Sequence, residues 1–192
     1  EDEPFTESNP YKPNSPYSAS KAASDHLVRA WHKTYGLKTI ISNCSNNYGP
    51  NQHHEKLIPK VLKCCKNEEP IPVYGNGLNI RDWIYVEDHC EAILKLIKEN
   101  NFFGETFNIG SDNEKSNLDL IEFICSKVDE RFPIKSHSLA SRKELIKFVD
   151  DRPGHDNRYA INSSKIADKI GWRSRFSFDS TIENIIDHYF AK

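Results

Sequence analysis

Residues 15–21 read Ser-Pro-Tyr-Ser-Ala-Ser-Lys and open the most clearly marked helix of the sequence. Ser15 is a favoured N-cap residue, Pro16 suits the first helical position, and Gly36 is a typical helix end. The helix between them is therefore predicted to have about 20 residues. An apolar stripe along it consists of Ala23, Leu27, Ala30 and Trp31.

Tyr17 and Lys21 lie four residues apart in this helix, so both side chains face the same way. Taken alone, the spacing is more typical of a solvated helix face. The position of Tyr17 in the first turn favours a catalytic interpretation, because an ammonium group and a helix N-terminus both stabilise a phenolate.

Short apolar runs alternate with helical segments along the rest of the sequence, which predicts an α/β architecture. Strands are predicted over residues 37–42, 71–74, 80–86, 106–109 and 146–149, and helices over residues 55–67, 87–99, 117–130, 164–170 and 179–190. The first fourteen residues are predicted to be an irregular lead-in. Gly75-Asn76-Gly77 is interpreted as a hairpin turn.

A Gly-rich G-x-G-x-x-G turn does not open any strand-helix unit of the sequence. The sequence also contains no methionine and begins with Glu1-Asp2-Glu3-Pro4. We therefore expect the pyrophosphate-binding half of any dinucleotide site to lie upstream of these residues.

The composition excludes several classes of function. A net charge of -2 gives no bulk electrostatic reason to bind nucleic acid or a membrane. The five cysteines form no C-x-x-C pair, which argues against a disulfide framework or structural zinc and favours a cytoplasmic location. His53-His54 has no nearby partner ligands in sequence, so no metal is expected.

Polar loops follow the predicted strands, where open α/β sheets bind ligands. Residues 43–50 read Asn-Cys-Ser-Asn-Asn-Tyr-Gly-Pro and suit sugar hydroxyls or a carboxamide, or else form an ordinary turn. Arginines in residues 81–83 and 151–158 suit either a diphosphate or surface ion pairs. Both interpretations remain open from these residues alone.

Seven segments occur in the order seen in the dTDP-glucose 4,6-dehydratases, a family of extended short-chain dehydrogenases, and the resemblance covers essentially the whole chain. The segments are residues 15–21, 43–50, Glu-Lys-Leu-Ile-Pro at 55–59, Pro-Val-Tyr-Gly at 72–75, Ile-Arg-Asp-Trp at 80–83, Phe-Asn-Ile-Gly at 107–110 and Asp-Arg-Pro-Gly-His-Asp at 151–156. Residues 51–54 depart from the aromatic and proline residues that are usual in that family.

This resemblance implies a reaction. Tyr17 would take the proton of the sugar 4-hydroxyl while hydride leaves C4 for NAD, and Lys21 would hold the nicotinamide ribose and favour the tyrosinate. Loss of water across C5 and C6 and return of hydride to C6 would give a 4-keto-6-deoxy sugar, as in rhamnose biosynthesis. Oxidation comes first because the 4-ketone acidifies the C5 hydrogen.

The resemblance also implies binding residues for dTDP-glucose and NAD. Asn46 resembles a sugar or phosphate contact, and Asn47 a cofactor contact. The residues that resemble a nucleotide pocket are Lys56, Leu57, Pro72, Val73 and Tyr74. The residues that resemble a diphosphate and nucleoside grip are Arg81, Asn108, Asp151, Arg152, Pro153, Gly154 and His155.

The implied fold is the C-terminal part of a Rossmann-like parallel sheet with a smaller mixed α/β substrate-binding domain. Residues 1–50 would belong to the NAD-binding domain. Residues 51–192 would belong mainly to the substrate-binding domain, with segments near 78–100 returning to the Rossmann-like sheet. The family implies a homodimer.

Members of this family carry a Thr-Asp-Glu triplet upstream of the tyrosine helix, and its acidic residues perform the elimination. This triplet is missing from the sequence, so we expect the 192 residues alone to be inactive. The alternatives are a related epimerase or decarboxylase, a non-catalytic nucleotide-sugar-binding module, and a chain that does not fold by itself.

Overall fold

The computed structural model describes residues 3–191; Glu1 and Asp2 of the predicted lead-in, and Lys192, lie outside the described residues. Helices and strands alternate as predicted. The helices are α1 (Pro16–Tyr35), α2 (Leu57–Asn67), α3 (Val86–Glu99), α4 (Asn117–Arg131), α5 (Ser164–Ile170) and α6 (Phe178–Phe190), with a 3-10 turn at Arg142–Leu145. The strands are β1 (Ile41–Cys44), β2 (Asn46–Tyr48), β3 (Ile71–Tyr74), β4 (Ile80–Tyr85), β5 (Thr106–Ile109), β6 (Glu114–Ser116), β7 (Ile146–Val149) and β8 (Arg158–Tyr159).

The strands of the described chain form three small sheets. Parallel pairs join β1 to β5 and β3 to β7. The third sheet places β4 between β2, which runs parallel to it, and β6, which runs antiparallel; β8 adds a short parallel pairing to β4. Parallel strands with helical connections make this a Rossmann-like α/β fold, as the sequence predicted.

Two apolar clusters hold these layers together. The larger cluster joins α2, α4 and α6 to β3 and β4 through side chains such as Leu62, Ile124 and Ile182. The smaller cluster joins α3 and α5 to β5 through Leu96, Ile166 and Phe107. In both clusters, helices and sheets bury their apolar faces against each other. This packing fixes the position of the edge at which the strands end.

Helix α1 forms as predicted but buries little of its apolar stripe. Ser15 Oγ accepts a hydrogen bond from Ser18 N at 3.1 Å, and Gly36 ends the helix with a left-handed φ of 68°. None of the twenty residues of this helix, all of which are described, is buried. Leu27 is 61% exposed and Trp31 is 52% exposed, so the stripe faces solvent in this chain.

The hairpin interpretation of Gly75-Asn76-Gly77 is wrong. The two strands on either side, β3 and β4, pair with β7 and β2 respectively and lie in different sheets. Positive φ values of 58° at Gly75 and 73° at Gly77 turn the chain from one sheet to the other. A Gly-Asn-Gly turn is compatible with both routes, and only the long-range pairing distinguishes them.

Other boundaries also differ from the sequence prediction. The first strand begins at Ile41 rather than residue 37, and β2 occupies part of the polar segment 43–50, which was predicted to be a loop. The short strands β6 and β8 were not predicted, since Glu114–Ser116 and Arg158–Tyr159 are too short to show a period of two.

Two site types are missing from the described residues. Residues 3–191 contain no group of three or more His, Cys, Asp or Glu side chains arranged to hold a metal ion. Within the same range, no helix is both long enough and apolar enough to cross a bilayer.

Candidate active and nucleotide-sugar-binding site

The carboxyl ends of the parallel strands bring the polar segments together. Asn43 of β1 lies opposite Asn108 of β5, and both strands end one residue later. Directly after β1, strand β2 carries Asn46 and Asn47 alongside β4. The side chains of these segments therefore gather where parallel sheets commonly bind ligands.

Tyr17 and Lys21 lie in the first two turns of α1, a helix that packs against β1. The Tyr17 side chain is 74% exposed. Burial raises the pKa of the Cys44 thiol, and a hydrogen bond from Asn47 together with the positive charge of Lys21 partly offsets this rise. The influence of Lys21 on Cys44 places its ammonium group near the last residue of β1.

The lead-in is attached to the middle of α1. Tyr11 Oη donates a hydrogen bond to Asp25 Oδ2 at 2.9 Å, and the Tyr11 and His26 rings meet edge to face at 5.4 Å. Burial raises the pKa of Tyr11, while a hydrogen bond with Asn43 lowers it. Tyr11 therefore reaches the end of β1 as well. Sequence reasoning missed this residue because an irregular segment has no period.

The lead-in also occupies the side chain of Asn108. Asn108 Nδ2 donates to Phe5 O at 2.9 Å, and its backbone N–H donates to Glu7 Oε1 at 2.8 Å. The residue is 3% exposed. In this chain the Asn108 side chain thus holds the lead-in, and a ligand contact of the kind predicted would need that segment to move.

Arg81 has a buried guanidinium at the start of β4. Its Nη1 donates to Ile80 O at 2.6 Å and its Nη2 to Asp156 O at 2.8 Å. The residue is 8% exposed, and burial lowers its pKa. Tyr159 of β8 lies opposite Arg81. Burial raises the pKa of Tyr159, and the nearby Cys44 and Asp156 raise it further. Arg81 thus links β4 to the loop after β7.

The loop after β7 is organised around Asp151. Its Oδ1 accepts hydrogen bonds from His155 Nδ1 at 2.7 Å and from the backbone N–H of Arg152 at 2.8 Å. The hydrogen bond with His155 holds the pKa of Asp151 below its ordinary value. Pro153 and Gly154 lie exposed between them, with a φ of 69° at Gly154. This loop therefore has a defined local shape.

The predicted nucleotide-pocket residues are divided between surface and core. Tyr74 is 50% exposed at the end of β3, and Lys56 is exposed at the N-cap of α2. Val73 is 2% exposed and belongs to the larger apolar cluster, against which Leu57 packs. At Val73, only the backbone is available to a ligand.

Asn47 is the most highly connected of the predicted ligand contacts. Its Nδ2 donates to Ser45 O at 3.1 Å and to Cys44 Sγ at 3.2 Å. Its Oδ1 lies 2.8 Å from His89 Nδ1, and its backbone O accepts from Gln52 Nε2 at 2.8 Å. Sequence reasoning missed His89 and Gln52, because a single polar residue in a helix or loop shows no pattern.

The predicted site residues lie in two groups. Lys21, Asn46 and Asn47 surround the end of β1, whereas Tyr74 and the 151–155 loop lie at the end of β3 and β7. Arg81 belongs to β4, which pairs with the strand that carries Asn46 and Asn47, and it donates to Asp156 O just after the 151–155 loop. The arrangement offers a phenol, an ammonium group and amides at one end and arginines at the other.

A family model described as GDP-mannose 4,6-dehydratase matches residues 1–185. The chain therefore belongs to this family, which is the class of protein that its fold and polar strand ends define. The particular relatives it resembles are dTDP-glucose 4,6-dehydratases. That of Neisseria gonorrhoeae is 50% identical over 188 residues, which are 98% of this chain and 54% of that protein. That of Salmonella typhimurium is 52% identical over 187 residues, or 97% of this chain and 50% of that protein.

Solved structures with the same fold carry the same description. The dTDP-glucose 4,6-dehydratase of Bacillus anthracis, solved in complex with NAD, has a TM-score of 0.88 and 40% identity, and the alignment covers 100% of this chain and 57% of that one. For the dTDP-glucose 4,6-dehydratase of Streptomyces venezuelae, the TM-score is 0.89 and the identity 38%, over 100% and 56% of the two chains. The chain thus spans about half the length of the relatives it matches.

Proposed function

We propose that this chain provides the oxidation base and the substrate grip of a NAD-dependent dTDP-glucose 4,6-dehydratase. The observation that carries the proposal is identity of about half the residues to proteins of that name over 98% of the chain. The placement of Lys21 beside the end of β1 supports it. A cytoplasmic location, a homodimer and the division at about residue 50 into cofactor and substrate domains belong to the same proposal.

Tyr17 is the proton acceptor in this proposal. Its side chain is exposed at the N-terminus of α1 and is therefore accessible to a sugar hydroxyl. Lys21 lies one turn further along the same face of the helix and would hold the nicotinamide ribose beside Tyr17. Loss of the 4-hydroxyl proton to Tyr17, together with loss of the C4 hydride to the NAD that the complete site would hold, would give the 4-ketone that acidifies the neighbouring C5 hydrogen.

The residues present fit the nicotinamide end of NAD and not its diphosphate. Lys21 and Asn47 at the end of β1 would hold the ribose and the adjoining part of the cofactor. When bound, NAD supplies the hydride acceptor. The sequence has no Gly-rich turn that would hold the pyrophosphate. Cofactor affinity of the 192 residues alone should therefore be low.

The 151–155 loop and Arg81 form the grip on the nucleoside diphosphate. Arg152 is exposed in a loop whose shape Asp151 fixes, so its guanidinium is available for phosphate oxygens. Tyr74 offers an exposed ring near the same loop for the base. Asn46 would contact the sugar or the phosphate from the other side.

Calorimetry tests the proposed binding of the nucleoside diphosphate directly. The chain should bind dTDP-glucose and dTDP, with weaker binding of UDP-glucose, and Arg152→Ala should weaken dTDP-glucose binding about tenfold. The matched control is Arg29→Ala, an exposed arginine on α1. A folded chain that binds neither dTDP compound would rule out the proposal, and preference for UDP-glucose would favour a related epimerase.

Turnover requires a second experiment. We expect the 192 residues alone to give no 4-keto-6-deoxy sugar, because the elimination residues of the family are missing from them. Substituting them for the matching 188 residues of the Neisseria gonorrhoeae protein should restore turnover with NAD. A chimera that folds, binds dTDP-glucose and remains inactive would instead favour a non-catalytic binding module.

A further inference from the structure

His89 lies in the first turn of α3, directly behind the β2 strand that carries Asn47. The two side chains meet with His89 Nδ1 2.8 Å from Asn47 Oδ1. The approach is close, because a Cβ on Gly49 would lie 2.5 Å from Val86 Cγ1 at the start of the same helix. The chain that follows β2 is therefore pressed against α3.

The hydrogen bonds of Asn47 determine which way its carboxamide faces. One end of the carboxamide lies 3.1 Å from the backbone oxygen of Ser45, which can only accept a hydrogen bond. That end must be the nitrogen, so the oxygen faces His89. A carbonyl oxygen requires a donor, and His89 must therefore carry a proton on Nδ1.

The other ring nitrogen of His89 is unusual. With the proton on Nδ1, Nε2 of the neutral ring carries a lone pair. Nε2 is buried and has no hydrogen-bond partner among residues 3–191. Protonating Nε2 would bury a charge with no acceptor for the added N–H, so the environment keeps the ring neutral; burial also lowers the pKa of His89.

Gln52 holds the backbone of Asn47, and His89 and Gln52 together form a clamp on this residue. Gln52 Nε2 donates to Asn47 O at 2.8 Å, so the main chain and side chain of Asn47 are held from opposite directions. Asn46 is the preceding residue in the same three-residue strand. A movement of the Asn47 backbone would therefore displace Asn46 as well.

We propose that His89, as the neutral Nδ1–H tautomer, is a positioning residue that holds the Asn47 carboxamide and thereby presents Asn46 and Asn47 to the nucleotide sugar and the cofactor. The second half of this statement rests on the proposed function. The first half rests only on the contacts of His89 and Asn47.

The first test is spectroscopic and uses the unchanged chain. Long-range ¹⁵N–¹H correlation spectra at neutral pH should show His89 with a protonated Nδ1 and an unprotonated Nε2. Its signals are assigned by their loss in His89→Asn. A protonated Nε2 with a bare Nδ1 would overturn the proposal.

The second test compares two amide substitutions. His89→Asn places an amide nitrogen close to the position of Nδ1 and keeps the donor, whereas His89→Gln places it near Nε2 and removes the donor from Asn47. His89→Asn should retain separate, slowly exchanging side-chain NH₂ signals for Asn47 and affinity for dTDP-glucose within about twofold. His89→Gln should make the Asn47 NH₂ protons exchange faster with water and should bind dTDP-glucose about fivefold more weakly, as expected for the loss of one hydrogen bond.

The neighbouring exposed position provides the control. Cys90→Ala changes α3 one residue further on and should leave the Asn47 signals and the affinity unchanged. Equal behaviour of His89→Asn and His89→Gln would contradict a positioning role. If His89→Gln does not fold, the tautomer in the unchanged chain decides the question. If the unchanged chain does not bind dTDP-glucose, the proposed function fails, while the tautomer and the Asn47 signals still test the clamp.

Discussion

The backbone of Gly75 lies directly against the carboxyl group of Asp151, since a Cβ on Gly75 would be 2.9 Å from Asp151 Oδ2. Gly75 N–H also donates to Val149 O at 2.9 Å. The end of β3, which carries Tyr74, is thereby fixed to the loop that carries Arg152 and His155. Two segments far apart in sequence form one surface because glycine leaves room for the carboxylate.

Gly75→Ala should therefore disturb both stability and binding. The left-handed φ of 58° costs an alanine about 1 kcal/mol, and displacing Asp151 should add about 1–2 kcal/mol. Affinity for dTDP-glucose should fall several-fold as the loop moves. Gly36→Ala is the control: φ is 68°, but its Cβ would meet nothing within 4 Å. Urea unfolding and calorimetry measure both effects, and equal destabilisation of the two variants would refute the role of Asp151.

Arg142→Ala should be among the most destabilising single changes in the chain. Arg142 is 2% exposed; its Nη1 donates to Asp129 Oδ1 at 2.7 Å and its Nε to Cys65 O at 2.9 Å. Removing the guanidinium takes the Arg142 donors away from Asp129 Oδ1 and from the carbonyls of Cys65, Phe132 and Pro133, which should cost about 3–5 kcal/mol.

Arg131→Ala is the matched control for Arg142→Ala. Arg131 donates to Glu183 Oε2 at 2.8 Å, but its side chain is 31% exposed, so its loss should cost far less than the loss of Arg142. Chemical denaturation of the two variants compares the free energies of unfolding. A similar loss for both would show that the Arg142 ion pair contributes no more than a surface pair.

The ionisation of Tyr48 should make the free energy of unfolding depend on pH in the alkaline range. Burial raises the pKa of Tyr48 to about 12, whereas an unfolded tyrosine ionises near pH ~10. Between these values the unfolded state releases a proton that the folded state keeps, so the free energy of unfolding falls as pH rises. Below that window this group has no effect, and the full loss is at most about 2.7 kcal/mol.

Tyr48→Phe isolates this contribution. Thr181 Oγ1 has acceptors in Ser177 O and Phe178 O, so Tyr48 Oη is the donor in its 2.6 Å contact with Thr181. The variant should lose about 1 kcal/mol at pH ~7 and become the more stable protein near pH ~12. Urea unfolding over this pH range gives the difference, which should stay constant at neutral pH. If this difference stays constant over the whole pH range, the ionisation of Tyr48 is not the cause of the lower stability at alkaline pH.

Tyr17→Phe should separate catalysis from folding. Because Tyr17 is 74% exposed, the free energy of unfolding should change by less than about 0.5 kcal/mol. In the chimera with the Neisseria gonorrhoeae protein, loss of the base should lower kcat about 10²–10⁴-fold with little change in dTDP-glucose affinity. Tyr35→Phe, at the other end of α1, should leave turnover unchanged. Full turnover by the Tyr17→Phe chimera would remove Tyr17 from the proposed mechanism.

Local signals made part of this architecture predictable. Helix α1 begins after Ser15 and ends at Gly36 as its capping residues indicate, because capping depends on neighbouring backbone groups alone. The bounds of β3 and β5 were also predicted, since a short apolar run between turn residues needs no distant partner to be recognised. The turn at Gly75 was misread because the same three residues are compatible with either a hairpin or a change of sheet.

The sequence by itself determined the class of fold, the Tyr17-Lys21 face at the start of α1 and, through ordered motifs, the family. Only the tertiary structure decided that Asn108 holds the lead-in, that Val73 turns its side chain into the core, and that His89 faces Asn47. These contacts join residues between roughly 40 and 100 positions apart, or depend on which face of a strand is covered. Such relationships follow from strand register and packing, which a local pattern around Ser15 does not contain.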